Sequence, residues 1–482
     1  MTQTPVDVDL RGKRLVICSN REPFTVIRTD GGFTYEATLG GLVSALIPIM
    51  RATGGLWVSW AGGNLARKHE LPQKQKVPGE EPTFTQFRIF LTQEQVDNYY
   101  YGFANQALWP LCHYFLERAN FERKHWETYK DVNRLFAEAL IQEVDLEDDM
   151  LWLQDYHLTL AGGMIKRERP ELSSGIFWHI PFPHVDFFKF IPWRVELLEG
   201  MLGNDVLGFH LPQYCWNFGR SVEMILGYDW DPENMEIHVR DRTVKLLPRG
   251  IGVNFEFFNG IGGSKETERR ARQIKQDLNA ENLILGVDRL DYTKGIKERL
   301  LTLEKFFEKY PEYIESVSFL QIAVPSRTHV PEYQELKDEI DFHVGRINGK
   351  FSREGWIPIH YFYHGIPQEE LIAYYRAADV ALITPIKDGM NLIAKEFAAA
   401  RPDDNGTLIL GEHAGAALEF PDIVAVNPFD VESGALAIKA ALEMPEEQKR
   451  RTMETMREQV REKDLKWWIE ENLRALRDLQ TV

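Results

Sequence analysis

Residues 283–295 read LILGVDRLDYTKG and carry the pattern that decides the fold class. The apolar run 283–287 is typical of a buried strand, and the charged loop after it ends in a glycine and precedes a helical pattern. Similar strand candidates occur at 14–18, 56–60, 150–154, 175–178, 317–322, 380–383 and 408–410. Strands that alternate with helices indicate βαβ units and parallel sheets, so the predicted fold class is α/β.

Length and spacing predict two domains. A chain of 482 residues is too long for one hydrophobic core and suits two doubly wound sheets with a cleft between them. The strand pattern restarts after 246–252, which places the boundary near residue 249. The last stretch, 445–479, is charged and amphipathic, and Trp467 and Trp468 are its predicted apolar anchor.

Composition excludes several classes of function. The net charge of −17 predicts a surface that repels nucleic acid and anionic membranes, so neither is an expected partner. There is no run of about 18 apolar residues, and the first residues are polar rather than secretory. Cys18, Cys112 and Cys215 show neither disulfide nor zinc spacing, which favours a reducing cytoplasm.

Polar side chains follow the strand candidates in both halves of the chain. Ligands of open parallel sheets bind beyond the carboxyl ends of the strands, so these loops are where we expect chemistry. The residues concerned are Asn20 and Arg21; Asp155, Tyr156 and His157; His179; Arg289 and Lys294; Arg327; and Lys387, Asp388 and Asn391.

The second half has the chemistry of a nucleotide-sugar site. A departing diphosphate gains negative charge in the transition state, and Arg289 and Lys294 could both meet it. The segment 388–392 precedes a helical pattern, so its backbone amides could point at phosphates. Glu396 lies far enough into that helix to accept hydrogen bonds from ribose hydroxyls.

A simpler interpretation stays open on spacing alone. Arg289 with Asp288 and Asp291 could form a surface ion-pair group, and Glu396 could lie on a solvated helix face. Short motifs have many false positives, so each half taken separately leaves the two interpretations evenly matched. Their joint occurrence in successive loops after strands favours the donor site.

Metal and phosphate-loop motifs are weak. A metal-dependent transferase would use an Asp-x-Asp pair, and the pairs at 7–9 and 229–231 both resemble solvated turns. The segment 345–350 is one residue short of a phosphate loop, with Phe351 in place of Ser or Thr. The glycines of 260–264 predict a flexible turn before a helix that starts at Lys265. We therefore expect neither a metal nor a cofactor.

The sequence as a whole resembles the trehalose-6-phosphate synthase family. The resemblance runs in family order from about residue 14 to the C-terminus. The segments that carry it are 19–21, 40–42, 100–110, 152–158, 179–183, 286–295, 321–327, 345–349 and 388–392.

The resemblance implies a GT-B fold of two Rossmann-like domains that face a cleft. Residues 1–249 would bind the acceptor, residues 250–455 the nucleotide sugar, and the helix at 456–482 would cross back to the first domain. The implied reaction moves glucose, with retention and without a metal, from a nucleoside-diphosphate glucose to glucose 6-phosphate, giving α,α-trehalose 6-phosphate. The family default donor is UDP-glucose. No protein nucleophile is implied, which argues against covalent catalysis by Asp155.

The resemblance also implies a role for each matching residue. The acceptor residues are Arg21, Trp60, Tyr100, Trp109, Asp155 and Arg327, of which the two arginines, Tyr100 and Trp109 hold the 6-phosphate. The donor residues are Gly41, His179, Arg289, Lys294, Asp388, Asn391, Leu392 and Glu396. The residues implied to act in catalysis are His179, Arg289, Lys294 and Asp388.

These donor and acceptor roles divide the chemistry further. Gly41 belongs to a loop above the diphosphate, and His179 and Asp388 contact the transferred glucose. Two arginines suit a phosphate dianion because their planar forks match its oxygens. Without the resemblance, core packing would be the favoured role of Tyr100 and Trp109.

Three alternatives remain. The nearest is glucosylglycerol-phosphate synthase, which uses glycerol 3-phosphate, followed by a pseudo-glycosyltransferase and a non-catalytic sugar-phosphate sensor. Residues 22–24 and 184–188 depart from the family pattern. The four phosphate residues together favour a hexose phosphate, and the retained donor residues argue against a sensor. The donor base is left open, and the sequence allows a homo-oligomer.

Overall fold

The chain folds into two compact units. A computed structural model describes residues 9–29, 32–37, 41–62, 71–77, 83–146, 148–327 and 330–479. The first unit comprises Met1–Ile251 and Leu465–Val482, and the second comprises Gly252–Asp464. The limit predicted at residue 249 lies close to this division, whereas the helix predicted at 456–482 needs correction: residues 456–462 belong to a helix of the second unit, Glu446–Glu462, and the helix of the first unit starts at Leu465.

The first unit is built on a mostly parallel sheet of ten strands. Its strands and a separate hairpin, β2–β3, are β1 Arg14–Arg21, β2 Phe24–Thr29, β3 Gly32–Ala37, β4 Leu56–Trp60, β5 Lys74–Lys76, β6 Thr85–Ile89, β7 Asp149–Gln154, β8 Ser174–Trp178, β9 Val206–Phe209, β10 Asp229–Asp231, β11 Glu236–Val239 and β12 Arg242–Pro248. The sheet order is β10-β11-β12-β9-β8-β7-β1-β4-β6-β5. The strand order reverses between β1 and β7, which is a topological switch point.

Helices connect these parallel strands. They are α1 Gly41–Ala52, α2 Gln93–Gln95, α3 Trp109–Cys112, α4 Arg123–Glu143, α5 Ala161–Glu168, α6 Val185–Phe188, α7 Arg194–Met201 and α8 Pro212–Leu226. A π-helix, Val96–Leu108, joins α2 to α3. The final helix of the chain, Leu465–Asp478, also belongs to this unit.

The predicted tryptophan anchor is confirmed for Trp468. Its ring is fully buried, with its centroid 5.2 Å from that of Trp152 in β7, and its Nε1 donates to the Arg249 carbonyl at 3.1 Å. Trp467 is half-buried. One face of an amphipathic helix therefore attaches the end of the chain to the first sheet.

The second unit has an all-parallel sheet of six strands. They are β13 Asn282–Arg289, β14 Val317–Val324, β15 Ile359–Phe362, β16 Val380–Ile383, β17 Thr407–Gly411 and β18 Val424–Val426. Their order is β15-β14-β13-β16-β17-β18, the 3-2-1-4-5-6 order of a Rossmann fold. The switch point lies between β13 and β16.

Helices of the second unit pack on this sheet. They are α9 Phe255–Gly262, α10 Lys265–Asp277, α11 Ile296–Lys309, α12 Pro331–Phe351, α13 Gln368–Ala377, α14 Leu392–Ala399, α15 Val431–Leu442 and α16 Glu446–Glu462. The core includes Ile284 of β13, Phe319 of β14, Leu300 of α11 and Ile438 of α15. Strands buried on both faces explain the unbroken apolar runs that the sequence shows.

Every strand predicted from sequence is confirmed, whereas two turn predictions need correction. Gly260 and Gly262 lie inside α9, and only Ser264 caps α10, where its Oγ accepts from the Thr267 amide at 3.1 Å. Residues 229–231 form the edge strand β10, and the turn follows it: Asp231 accepts from the Glu233 amide at 2.9 Å. Asp7 and Val8 lie outside the described residues.

The segment that resembled a phosphate loop is helical. Residues 345–350 lie inside α12, so they form no such loop. Within the described ranges, no group of His, Cys, Asp or Glu side chains is placed to hold a metal ion. No helix in the described part of the chain combines the length and apolarity that crossing a membrane requires.

Candidate functional site

Predicted acceptor residues collect at the switch point of the first sheet. Arg21 is the last residue of β1, and Asp155 directly follows the neighbouring β7. Connections leave these two strands in opposite directions, which opens a crevice at their carboxyl ends. Sequence order alone does not show that these two loops are adjacent, because more than a hundred residues separate them.

Arg21 lies against two aromatic rings. Its Cζ is 4.8 Å from the ring centroid of Tyr100 and 6.0 Å from that of Trp60 at the end of β4. The two rings are 6.0 Å apart, so all three predicted acceptor residues form one cluster. Both distances lie within cation–π range, and the rings limit how the guanidinium can turn.

Tyr100 and Trp109 are presented by the π-helix and by α3 directly after it. Trp109 is buried, and its ring centroid is 6.1 Å from that of Tyr156 and 4.2 Å from that of His113. A π-helix is rare and is often found at functional sites. Trp109 thus packs mainly in the core, whereas half-buried Tyr100 contacts Arg21 directly.

Asp155 is held by backbone donors from two loops. Its Oδ1 accepts from the Tyr156 amide at 2.9 Å and from the His179 amide at 3.1 Å. The carboxylate therefore ties the end of β7 to the end of β8. An oxygen already bound by two N–H groups is a poor nucleophile, because those bonds stabilise its charge.

Gln154 is a site residue that the sequence analysis missed. It is buried at the end of β7, and its Oε1 lies 2.9 Å from Nε2 of His179. Burial, followed by the nearby His210 and His157, lowers the pKa of His179 well below its usual value. His179 is therefore neutral near pH 7, and its ring orientation is set by Gln154. The signal that could have revealed it is a polar residue at the end of an apolar run, directly before Asp155.

Two loops of the second unit meet at its switch point. Lys294 follows β13, Asp388 follows β16, and Lys294 Nζ lies 2.5 Å from Asp388 Oδ2. Gly295 has a φ of +63°, and a Cβ there would lie 2.2 Å from the carbonyl oxygen of Thr384. Glycine is required at this position by both conformation and space.

The alternative interpretation, a surface ion pair between Asp288 and Arg289, is wrong about the partner of Asp288. Asp288 is buried and binds Arg299 of α11, with Oδ2 2.6 Å from Nη1, while Arg289 at the strand end is exposed. Arg299 also donates to the Lys294 carbonyl at 3.3 Å and was missed from sequence. Its signal is a charged position on the apolar face of α11 that carries Leu300 and Leu303.

Helix α14 begins at Leu392 with Asn391 as its N-cap. Asn391 Oδ1 accepts from the Ala394 amide at 3.1 Å, and its Nδ2 donates to Asp388 at 3.1 Å. Glu396 is half-buried and accepts from the Tyr375 hydroxyl at 2.7 Å, so it does not lie on a solvated face. Burial raises the pKa of Glu396 to about 7, against the lowering effect of that hydrogen bond.

Three predicted site residues have left-handed backbone conformations. The φ angles are +74° at Asp155, +48° at Arg327 and +77° at Asn391. Residues other than glycine adopt such angles rarely, and they persist only where the surroundings hold them. This strain coincides with the loops that the sequence pattern selected.

The residues predicted to bind the acceptor phosphate belong to both units. Arg21, Tyr100 and Trp109 belong to the first unit and Arg327 to the second. Arg327 Nη1 contacts Oδ2 of Asp291 at 3.2 Å. Among the remaining donor positions, Gly41 is the first residue of α1. Gly40, which belongs to the segment that carries the resemblance, lies outside the described residues.

A sequence model for glycosyltransferase family 20 matches residues 13–478. The chain belongs to glycosyltransferase family 20. Membership of this family confirms the resemblance drawn from the motifs. The match covers nearly the whole chain, including both large sheets and the final helix.

Two relatives of the chain bear similar names. The chain is 40% identical over 468 residues to the bifunctional trehalose-6-phosphate synthase/phosphatase of Thermoproteus tenax, covering 94% of this chain and 62% of that protein. It is 39% identical over 472 residues to the trehalose-6-phosphate synthase of Mycobacterium sp. (strain KMS), covering 96% of this chain and 95% of that one. The chain thus spans less than two thirds of the bifunctional relative and almost all of the mycobacterial one.

Solved structures of similar proteins confirm the GT-B fold class. A UDP-forming α,α-trehalose-phosphate synthase from Burkholderia xenovorans, in complex with glucose-6-phosphate, has a TM-score of 0.86 at 33% identity and covers 96% of this chain and 99% of that chain. A trehalose-6-phosphate protein from E. coli bound with UDP-2-fluoro glucose has a TM-score of 0.87 at 31% identity, with the same coverage. The cleft expected between the domains stays a prediction.

Proposed function

We propose that this chain transfers glucose, with retention, from UDP-glucose to glucose 6-phosphate and releases α,α-trehalose 6-phosphate and UDP. The observation that carries the proposal is the Lys294–Asp388 pair at the switch point of a Rossmann sheet, beside the capped start of α14. Both relatives bear the corresponding name, and the structures bind glucose-6-phosphate and UDP-2-fluoro glucose.

In this proposal the donor binds to the second unit. Lys294 and Arg289 neutralise the diphosphate as its charge grows, and the amides at the start of α14 add fixed partial positive charge. Asp388 holds Lys294 in place and meets hydroxyls of the transferred glucose. Glu396 accepts hydrogen bonds from the ribose.

The acceptor is bound by charge and aromatic walls. Arg21, set by Tyr100 and Trp60, binds the 6-phosphate, and Arg327 contributes a second guanidinium. Asp155 accepts from acceptor hydroxyls, and neutral His179 hydrogen-bonds the transferred sugar. Departure of UDP and attack by the acceptor take place on the same face, and the leaving phosphate oxygen takes the hydroxyl proton.

The test is a product assay with two acceptors. Purified protein is incubated with UDP-glucose and either glucose 6-phosphate or glycerol 3-phosphate, and the products are identified by mass spectrometry and anomeric NMR. We expect α,α-trehalose 6-phosphate from the first acceptor only. Turnover with glycerol 3-phosphate alone would replace the proposal with its nearest rival, and an absence of turnover across nucleoside-diphosphate glucoses would refute it.

Arg327→Ala should weaken acceptor binding. Loss of one charge-assisted phosphate contact costs about 1.5–3 kcal/mol, so the KM for glucose 6-phosphate should rise roughly 10- to 150-fold. Initial rates at saturating UDP-glucose measure it. Arg346→Ala is the matched control, because Arg346 is an exposed arginine of α12 paired with Glu304. An unchanged acceptor KM would count against the phosphate role of Arg327.

Donor affinity should depend on pH through Glu396, whose pKa is raised to about 7. Ribose hydroxyls donate best to the carboxylate, so binding favours its ionised form and affinity rises with pH. UDP-glucose should bind about tenfold more weakly at pH 6 than at pH 8, because the ionised fraction falls by that factor.

The pH prediction is measured by calorimetry with UDP-glucose and no acceptor. The sugar diphosphate stays ionised over this range, which isolates the protein group. Glu396→Gln should abolish the pH dependence, whereas Glu268→Gln, at an exposed position of α10, should retain it. A slope that persists in Glu396→Gln would contradict the assignment.

A cytoplasmic setting forms part of the proposal. All three cysteines, Cys18, Cys112 and Cys215, are free and buried. Buried unpaired thiols suit a reducing compartment, where disulfides rarely form. The proposed substrates are small molecules, and a homo-oligomer stays a prediction.

A further inference from the structure

A buried carboxylate lies within the loop that carries Lys294. Asp291 is 0% exposed, and its Oδ1 accepts from the Thr293 amide at 3.0 Å. That bond caps the short helical turn Tyr292–Lys294, which places the Lys294 side chain beside Asp388. One oxygen of Asp291 therefore shapes the donor loop.

The other oxygen of Asp291 binds a residue on a different loop. Oδ2 lies 3.2 Å from Arg327 Nη1 and accepts from the Tyr333 hydroxyl at 3.1 Å. Arg327 and Tyr333 also hydrogen-bond each other, and the Arg327 Cζ is 5.5 Å from the Tyr333 ring centroid. The Arg327 side chain is only 6% exposed, so these contacts determine where its guanidinium faces.

Electrostatic attraction between Asp291 and Arg327 stabilises this arrangement. Burial alone would raise the pKa of Asp291, but Arg327, and then Arg289 and Lys294, hold it below its usual value. A buried ion without its partner is strongly destabilising, so the ion pair resists opening. Because a guanidinium has its donors in a rigid planar fork, fixing one nitrogen fixes the direction of the others.

We propose that Asp291 is a positioning residue that couples the two substrate sites: one oxygen sets the loop of Lys294, and the other aims Arg327 at the acceptor phosphate. The proposal rests on the proposed function, which gives Lys294 the diphosphate and Arg327 the phosphate. A donor that orders the loop also orders Arg327, so binding of either substrate favours the other.

Asp291→Asn separates the two contacts. The carboxamide keeps an oxygen for the Thr293 amide but places an NH₂ group against Arg327 and Tyr333, where it cannot accept a hydrogen bond. The KM for glucose 6-phosphate should rise at least about tenfold, and that for UDP-glucose should change less than about threefold. Asp341→Asn, an exposed acid of α12, is the matched control and should change neither.

Two readouts distinguish positioning from a general loss of structure. On the Arg327→Ala background, Asp291→Asn should raise the acceptor KM less than about twofold further, because it acts through Arg327. In calorimetry, glucose 6-phosphate should tighten UDP binding to the wild type, and the ratio of the two affinities should fall towards one in Asp291→Asn.

Several outcomes would overturn the coupling role. They are equal rises in both KM values, additive effects with Arg327→Ala, or unchanged kinetics. Should Asp291→Asn fail to fold, Tyr333→Phe decides: it keeps the ion pair and should raise the acceptor KM at least about threefold, and no rise refutes the role. Turnover by the wild type tests the proposed function separately. If turnover is absent, the coupling role of Asp291 is judged from calorimetry alone, by the effect of glucose 6-phosphate on UDP binding in the wild type and in Asp291→Asn.

Discussion

Lys294→Ala should lower kcat by about 10²–10³-fold, the range typical of removing one group that stabilises transition-state charge. The ammonium lies in the loop at the switch point, paired with Asp388, where a leaving diphosphate would gain charge. The KM for glucose 6-phosphate should change less than about threefold, because Lys294 has no proposed contact with the acceptor. Steady-state rates with both substrates varied measure this effect.

Lys297→Ala is the matched control for this prediction. Lys297 lies in the first turn of α11 and is paired on the surface with Glu339 at 2.6 Å, so its removal should leave kcat within about twofold. Lys294→Arg keeps the charge and should restore part of the rate. A variant in which the acceptor KM rises and kcat is unchanged would remove Lys294 from leaving-group stabilisation.

Arg299→Ala should lower the melting temperature far more than the loss of an exposed arginine. The guanidinium is 0% exposed and binds Asp288, Gln321 and Thr384 at 2.6, 2.8 and 3.2 Å. Its loss leaves the buried Asp288 charge unpaired, which costs about 3–5 kcal/mol. For a unit of this size, that corresponds to a fall of roughly 6–20 °C, measured by calorimetric unfolding of the ligand-free chain.

Controls separate this effect from loss of a surface charge. Arg272 of α10 forms an exposed pair with Glu268 at 3.5 Å, and Arg272→Ala should change the melting temperature by less than about 2 °C. Combining Arg299→Met with Asp288→Asn removes both charges and should recover part of the loss. A melting temperature of Arg299→Ala close to the wild-type value would show that the buried pair does not support the fold.

Local sequence was sufficient to predict the sheets and the loops that carry chemistry. The runs at 283–287 and 380–383 are apolar on both faces because the strands are buried on both sides, so their pattern is independent of distant residues. Arg289, Lys294 and Asp388 could be selected because polar residues directly after a buried strand must lie at its carboxyl end. Those inferences use only neighbours along the chain.

Short strands escaped prediction for a physical reason. β9, Val206–Phe209, and β15, Ile359–Phe362, have four residues each, and Gly208 and His360 interrupt their apolar runs, whereas β16, of the same length, is purely aliphatic and was predicted. The edge strand β10 contains two aspartates, a residue type that turns also favour. Their pairing with neighbouring strands, rather than their local preference, makes them strands.

The residues that order the site could not be identified without the fold. The place of Arg299 on the apolar face of α11 is a signal, but local sequence does not show that Arg299 and Asp291 are buried and paired rather than solvated. Burial comes from packing between segments that are separated in sequence, such as Arg299 of α11 against Gln321 of β14 and Thr384 after β16, and it turns a weak surface pair into a strong constraint. The amino-acid pattern thus specified which strands and loops form, while three-dimensional packing selected the partners of Lys294 and Arg327.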